Sequence, residues 1–129
     1  MPTFKLNKLV RDKLREEYLL DGQEAVYRSL SIEEHKNELK NKIIEEASEI
    51  NTNAPIEDII SEIADIRQAI DDLVLLYEIS DDQIKFKQQT KYSKKGGFVS
   101  GAFVETITLK DNDKWLEYYR KNPDIFKEL

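Results

Sequence analysis

Two pairs of carboxylates stand on either side of a short polar break in this chain. Glu46 and Glu49 lie in the stretch EEASE, and Glu62 and Asp65 lie in the stretch EIAD. Side chains three positions apart share one face of an α-helix, so each pair points in a single direction. If the break at residues 51–55 is the loop of an antiparallel helix pair, the two pairs face each other. We call these four carboxylates the acidic box.

The chemistry that such a box favours is the binding of a hard divalent cation. Carboxylates gathered beside an apolar seam repel one another and are costly to remove from water unless positive charge neutralises them. The ligands are all oxygen, since the chain has no Cys and its one His, His35, falls on a polar helical turn. Oxygen ligands favour Mg²⁺, or alternatively Mn²⁺, over Zn²⁺. The competing interpretation is a solvated acidic face, because charged residues make up 36% of the chain.

Two helices must position these carboxylates. The capping-box pattern Ser31-x-x-Glu34 opens the first helix, which we expect to run to about Asn51. Pro55 fits the first turn of the second helix, where its missing N–H costs nothing, and that helix should end near Ser80. The predicted apolar stripes are Leu39, Ile43, Ala47 and Ile50 in the first helix, and Ile56, Ile59, Ile63, Ile66, Ile70 and Leu73 in the second.

The position of the carboxylates relative to these stripes places them at the seam between the helices. At about 100° per residue, Glu46 falls inside the first apolar arc and Glu49 at its edge. Glu62 and Asp65 flank the second stripe. The cluster Leu73 to Leu76 exceeds what one buried face requires, and it predicts burial on two sides, hence a homodimer or higher homo-oligomer. A tightly packed monomer core is the alternative.

The same residues carry a family resemblance. EEASE followed after twelve residues by EIAD resembles the EExxE…ExxD signature of the all-α nucleoside triphosphate pyrophosphohydrolases, the MazG-like superfamily. NKLVRDK at residues 7–13 resembles the N-terminal opening of one branch, and KYSKKGGF at residues 91–98 resembles its K-x-x-R/K-G-G-F segment. That branch is the house-cleaning type related to phosphoribosyl-ATP pyrophosphohydrolase. In that segment Lys95 stands where an arginine is more usual. Its ammonium is a point charge, whereas a guanidinium would form two parallel hydrogen bonds with a phosphate.

The resemblance implies a mainly α fold, an antiparallel helix bundle of the MazG-like type, as a single domain over residues 1–129. It implies Mg²⁺ held by Glu46, Glu49, Glu62 and Asp65, with Glu45 and Glu46 as catalytic residues. Glu45, or whichever carboxylate is not bound to metal, would orient or deprotonate the attacking water. Cleavage would fall between the α and β phosphates of a nucleoside triphosphate and give a monophosphate and pyrophosphate.

Basic residues in three places are candidates for binding phosphate. Spacing alone favours a solvated helix face for Arg11; the resemblance instead implies contact with the triphosphate or a brace on the acidic box, and both remain open. Lys42 lies one turn before Glu46, where it balances charge or reaches a phosphate. The glycines at residues 96–97 would let backbone N–H groups approach a phosphate, although such a stretch is often an exposed turn. The lysines beside them are Lys91, Lys94 and Lys95.

The segments outside the helix pair are expected to form three further helices and a short strand or hairpin. A helix is expected from about Lys8 to Leu20, with Asp21-Gly22 as its stop, and another from Ser80 to about Tyr92. β-Branched and aromatic residues predict a short strand or hairpin near residues 24–30 and 98–109. A last helix should follow Asp113 and end at Asn122-Pro123.

Composition excludes several classes of protein. The net charge of −6 argues against an extended nucleic-acid surface, which needs clustered positive charge. No apolar run approaches the roughly 20 residues that cross a bilayer, and the N-terminus lacks a signal-peptide hydrophobic region. We therefore expect a cytoplasmic protein with no membrane or nucleic-acid partner.

The function predicted at this level is Mg²⁺-dependent hydrolysis of noncanonical nucleoside triphosphates. Phosphoribosyl-ATP is an alternative substrate. A catalytically silent helical module that binds nucleotide or metal is an alternative of a different class. A structural acidic bundle that serves as a protein adaptor is a third.

Overall fold

The computed structural model describes residues 1–129 and is mainly helical, with no β-strand. Its helices are α1 (Leu14–Leu20), α2 (Ile32–Ser48), α3 (Ile56–Leu76), α4 (Asp81–Lys95) and α5 (Leu116–Lys121). Contacts divide the chain into two compact units, Met1–Thr90 and Lys91–Leu129, so a single domain over the whole chain stays a prediction. None of the helices combines the length and the apolar character needed to cross a membrane.

Helix α2 begins where its capping box predicts. The Ser31 hydroxyl accepts a hydrogen bond from the Glu34 amide at 3.2 Å, and the Glu34 carboxylate accepts one from the Ser31 amide at 3.3 Å. These bonds satisfy amide groups that the first helical turn leaves without partners. The helix ends at Ser48 with Glu49 as its C-cap, slightly before the predicted end at Asn51.

Helices α2 and α3 form the predicted antiparallel pair. At one end the ammonium of Lys36, near the start of α2, lies 4.3 Å from the ring centroid of Tyr77, which caps the end of α3. At the other end, α2 and α3 bring carboxylates together. Pro55 is the N-cap of α3, and its φ of −54° suits the helix start that follows. Leu39 and Ala69, in the seam, are the two buried apolar residues of the chain.

The predicted apolar stripe of α3 is only partly covered in the structure. Ile59, Ile66 and Leu73 are partly buried, whereas Ile56, Ile63 and Ile70 are exposed. Residues at spacings of three and four cover a broad arc of the helix, and α2 covers only part of that arc. Helix α2 therefore covers one edge of the stripe and leaves the other edge exposed.

Two helix boundaries differ from the sequence predictions in ways that bear on the site. Helix α1 begins at Leu14 rather than near Lys8, so the NKLVRDK segment is irregular backbone. It does end at Asp21-Gly22, with Gly22 at a φ of +72° that favours glycine. Helix α4 continues to Lys95, beyond the predicted end at Tyr92, which places two lysines in its last turn.

The predicted strand or hairpin near residues 24–30 and 98–109 is not formed, and both segments run as irregular backbone. A strand needs a partner for its backbone groups and a surface against which to bury one face. Neither is present, since Val26, Phe98 and Val99 are fully exposed. Near the C-terminus the Asp113 carboxylate accepts a hydrogen bond from the Trp115 amide at 2.8 Å, just before α5 begins.

Candidate metal centre

The acidic residues of α2 and α3 form two groups that share Glu46. Oxygens of Glu46, Glu62 and Asp65 lie within 4.8 Å of one another, which joins the two helices as predicted. A second group at the same spacing consists of Glu45, Glu46 and Glu49. Glu49 is the exposed C-cap of α2, and its carboxylate also interacts across the seam with Glu62, whose pKa it helps to raise.

Glu46 is the buried charged residue of the chain, with 8% of its surface exposed. Its position inside the apolar arc of α2 explains that burial. The ammonium of Lys42 lies 3.5 Å from the Glu46 carboxylate and 3.4 Å from that of Glu45. Lys42 therefore occupies the charge-balancing position that its spacing of one turn predicts, and a role in binding phosphate stays a prediction.

Glu62 faces these acids from α3 without a cation of its own. Its Oε2 atom is buried and has no hydrogen-bond partner. The Glu46 carboxylate, to which a protonated Glu62 can donate a hydrogen bond, is the largest cause that raises the pKa of Glu62 to about 7. Desolvation and the charge of Glu49 act in the same direction. The carboxyl therefore shares a proton at neutral pH unless a cation enters the group.

Two basic side chains of the N-terminal segment form ion pairs with carboxylates of α2 and α3. The Lys8 ammonium contacts the Glu45 carboxylate at 2.8 Å, and the Arg11 guanidinium contacts Asp65 at 2.5 Å. Asn7, just before them, has a φ of +48°, a left-handed conformation that asparagine tolerates better than most residues. Arg11 thus braces the acidic box, which is one of the two roles left open by the sequence.

Lys8 is the site residue that the sequence patterns did not predict. Lys8 falls at the expected start of the first helix, and no local pattern pairs it with a carboxylate 37 positions away. Its ammonium is the largest cause of a lowered pKa at Glu45, and Glu45 in turn raises the pKa of Lys8. A carboxylate with a lowered pKa is a weaker base, so Glu45 would need to lose these partners before it could accept a proton.

The lysines predicted to bind phosphate near the C-terminal end of α4 belong to the second unit. Lys91, Lys94 and Lys95 are exposed, and their role stays a prediction. That unit also contains a cavity of about 400 Å³ lined by residues between Asp111 and Lys121. None of the predicted site residues lines this cavity.

The residues of the first unit fit a divalent cation. Five carboxylates (Glu45, Glu46, Glu49, Glu62 and Asp65) gather around three cations (Lys8, Arg11 and Lys42), which leaves two negative charges when all are ionised. One divalent ion would balance that excess. The unpartnered oxygen of Glu62 lies where such an ion would relieve the cost of burial. All the donors are oxygen, which suits Mg²⁺ or Mn²⁺.

Comparison of this chain with protein-family models, with curated proteins and with solved structures finds no match.

Proposed function

We propose that this protein is a Mg²⁺-dependent nucleoside triphosphate pyrophosphohydrolase of the MazG-like, house-cleaning type. The observation that carries the proposal is the carboxyl of Glu62. It is held against Glu46 across the helix seam, with a buried oxygen that has no partner. A solvated acidic face would not place a carboxyl in this way, because water would satisfy both of its oxygens.

In this proposal Glu46, Glu62 and Asp65 hold the cation, and Glu49 completes the ligand set from the end of α2. Bound Mg²⁺ or Mn²⁺ withdraws charge from phosphate oxygens and acidifies a bound water. The protein supplies a site in which carboxylates from two helices are already gathered. Glu46 is buried and lies 3.5 Å from the ammonium of Lys42, which holds this member of the ligand set in the seam.

The cations around the box supply the phosphate contacts. Lys8 and Arg11 come from irregular backbone and are more than one third exposed, so they can exchange a carboxylate for a phosphate oxygen. When Lys8 leaves Glu45, the pKa of that carboxyl rises and Glu45 becomes a better base for the attacking water. Lys91, Lys94 and Lys95 are proposed, by resemblance, to stabilise charge on the departing pyrophosphate.

The proposed reaction is attack of water between the α and β phosphates, which releases a nucleoside monophosphate and pyrophosphate. Noncanonical nucleoside triphosphates are the proposed substrates, with phosphoribosyl-ATP as the alternative.

The test is pyrophosphate release from a panel of normal and damaged ribo- and deoxyribonucleoside triphosphates and phosphoribosyl-ATP. Each is measured with Mg²⁺, with Mn²⁺ and with EDTA. Glu62→Gln should lower release by at least about a hundredfold, because it removes one charge from the cation site without changing the side-chain volume. The matched control is Glu57→Gln, an exposed glutamate of the same helix, which should keep the activity of the unchanged protein.

The panel also separates the alternatives. If no member of the panel releases pyrophosphate but Mg²⁺ and nucleotide still raise the melting temperature, the protein is a binding module and not this enzyme. If no pyrophosphate is released and neither Mg²⁺ nor nucleotide changes the melting temperature, the result favours the structural adaptor. Full activity of the Glu62→Gln variant would show that Glu62 does not belong to the cation site.

A further inference from the structure

The N-terminal segment carries an arginine that does not belong to the acidic box. Lys8 contacts Glu45 and Arg11 contacts Asp65, so both of these side chains lie at the box. Arg15 lies one helical turn after Arg11 and is exposed. It takes part in none of the ion pairs of the structure. Its positive charge therefore has no carboxylate partner.

Arg15 instead lies over an aromatic ring. Its guanidinium carbon is 4.8 Å from the centroid of the Tyr27 ring, the geometry of a cation–π interaction. Tyr27 belongs to the irregular segment after α1, and an ion pair of 2.9 Å between Arg28 and Glu34 ties that segment to the start of α2. Tyr27 remains 39% exposed, which leaves room for a second flat group beside Arg15. We call Arg15 and Tyr27 the aromatic platform.

The aromatic platform lies close to the acidic box. The Leu14 amide donates a hydrogen bond to the Arg11 carbonyl at 3.1 Å, so the first turn of the chain toward α1 already begins at Arg11. Side chains one turn apart are separated by about 6 Å at their Cβ atoms. Arg15 is thus the next side chain along from the one that contacts Asp65. A nucleotide whose β and γ phosphates lie at the box must place its ribose and nucleobase a comparable distance away.

We propose that the aromatic platform binds the nucleobase of the substrate by stacking. This inference rests on the proposed function, because it takes the phosphates to be bound at the acidic box. The nucleobase stacks on the exposed part of Tyr27, and Arg15 holds the ring in place from its other contact. Aromatic rings and guanidinium planes are the surfaces on which proteins stack unpaired nucleobases.

Stacking of this kind selects the size of a nucleobase and not its hydrogen-bonding edge. Every nucleobase has a π-face, and preferences among them follow the strength of stacking. A purine covers more of the ring than a pyrimidine does, so purine nucleotides should bind more tightly. Deamination of adenine to hypoxanthine changes the edge and leaves the π-face intact. The expected substrates are therefore purine nucleoside triphosphates, with intact or chemically altered edges.

Charge at the platform favours the same ligand. The α phosphate of a nucleotide lies between its β phosphate and its ribose, hence between the box and the platform. Arg11 must release Asp65 before it can bind a phosphate oxygen. Arg15 has no ion pair to break, so it gains an anionic partner at no cost to the box.

The chain contains a matched pair for comparison, which separates this role from a purely structural one. The Lys36 ammonium lies 4.3 Å from the centroid of the Tyr77 ring, and Tyr77 is 52% exposed. Tyr77 follows Asp65 by 12 residues, which is about 18 Å along the axis of α3. It has the same kind of cationic neighbour as Tyr27, but it lies too far from the box to meet a nucleobase whose phosphates are bound there.

The experiment compares two ligands that differ in the nucleobase. α,β-Methylene-ATP carries a purine and resists cleavage between its α and β phosphates, whereas inorganic tripolyphosphate carries no nucleobase. Each is titrated calorimetrically in Mg²⁺. Tyr27→Leu should bind α,β-methylene-ATP at least about fivefold more weakly, because the stack is lost, and tripolyphosphate within about twofold of the unchanged protein. Tyr27→Phe keeps the ring and should bind both ligands as the unchanged protein does.

Two further comparisons complete the test. Tyr77→Leu is the matched control and should bind both ligands with unchanged affinity. The unchanged protein should bind α,β-methylene-ATP more tightly than α,β-methylene-UTP, and Tyr27→Leu should lose most of this preference.

Equal affinity of Tyr27→Leu and the unchanged protein for α,β-methylene-ATP would overturn the platform. An equal loss of tripolyphosphate binding would also overturn it, because the ring would then act through the fold. The proposed function fails separately. Pyrophosphate release that Tyr27→Leu leaves unchanged, with unchanged KM, would keep the enzyme and remove the platform. Nucleobase-dependent binding without pyrophosphate release would keep the platform and remove the enzyme.

Discussion

Glu62 is the residue whose ionisation ties the stability of the helix pair to pH. Its pKa is raised from an ordinary 4.5 to about 7, so between these values the folded state binds more protons than the unfolded state. Stability then falls as pH rises from about 4.5 to about 7. The destabilisation is absent below that window and complete above it.

We therefore expect Glu62→Gln to stabilise the metal-free protein more at pH 8 than at pH 5, because glutamine carries no charge at either pH. The measurement is the melting temperature of both proteins in EDTA at half-unit steps of pH. Glu57→Gln is the control and should show a difference that does not vary with pH. A difference for Glu62→Gln that is constant, or larger at pH 5, would contradict the electrostatic account of this carboxyl.

Arg11 is expected to compete with a metal ion for Asp65. Exposed ion pairs contribute about 0.2–1 kcal/mol, so Arg11→Ala should tighten the binding of Mg²⁺ alone by up to about fivefold. The same variant should bind a nucleoside triphosphate less tightly in the presence of Mg²⁺, because a phosphate contact is lost. Calorimetric titration with Mg²⁺, and then with nucleotide, separates the two effects.

Lys13→Ala is the matched control for Arg11→Ala, since Lys13 comes from the same segment and has no ion pair in the structure. It should change neither affinity by more than about twofold. Weaker binding of Mg²⁺ in Arg11→Ala would instead mean that Arg11 positions Asp65 for the metal.

At the scale of elements, the cap of α2 determines where the first acidic helix begins. Ser31→Ala removes the hydroxyl that accepts from the Glu34 amide and should lower the free energy of unfolding by about 1 kcal/mol. Urea denaturation of the variant and of the unchanged protein measures this difference. Ser61→Ala, at an exposed position within α3, is the control and should change stability by less than about 0.5 kcal/mol. Equal effects of the two substitutions would show that the cap contributes little.

The ends of the two acidic helices also decide which carboxylates meet. Although α2 ends at Ser48, its C-cap Glu49 keeps helical backbone angles, and its carboxylate stays beside those of Glu45 and Glu46. Glu62 and Asp65, by contrast, lie within the first three turns of α3 and keep helical spacing. The seam thus brings Glu46, Glu62 and Asp65 together, and Glu49 joins them from the C-cap of α2 through its interaction with Glu62.

At the scale of the whole molecule, the homodimer or higher homo-oligomer predicted from the sequence would couple folding to association. If exposed apolar residues of α3 such as Ile63 and Ile70 are buried in an interface between copies of the chain, the melting temperature should rise with protein concentration, because association stabilises the folded state by mass action. Melting curves between about 1 and 100 μM test this. Ile63→Glu, which removes the interface, should melt at a temperature that is lower and independent of concentration. A concentration-independent melting temperature for the unchanged protein would contradict the coupling.

The sequence by itself determined the local architecture of this protein. The cap at Ser31 and the stop at Gly22 were readable because each depends on hydrogen bonds or backbone angles within a few residues. The pairing of Glu46 with Glu62 and Asp65 was also readable, since helical periodicity and one short loop suffice to place those carboxylates together.

The tertiary structure alone decided which distant groups meet and which side of each helix is covered. Lys8 and Arg11 contact Glu45 and Asp65 across 37 and 54 positions of sequence, and no periodicity encodes such a pairing. The partial covering of the α3 stripe was likewise hidden, because apolar spacing gives the arc that a helix can bury but not how much of it one neighbour covers. The β-prone segment near residues 98–109 found no partner strand, since propensity becomes structure only where backbone groups and apolar faces meet a complementary surface.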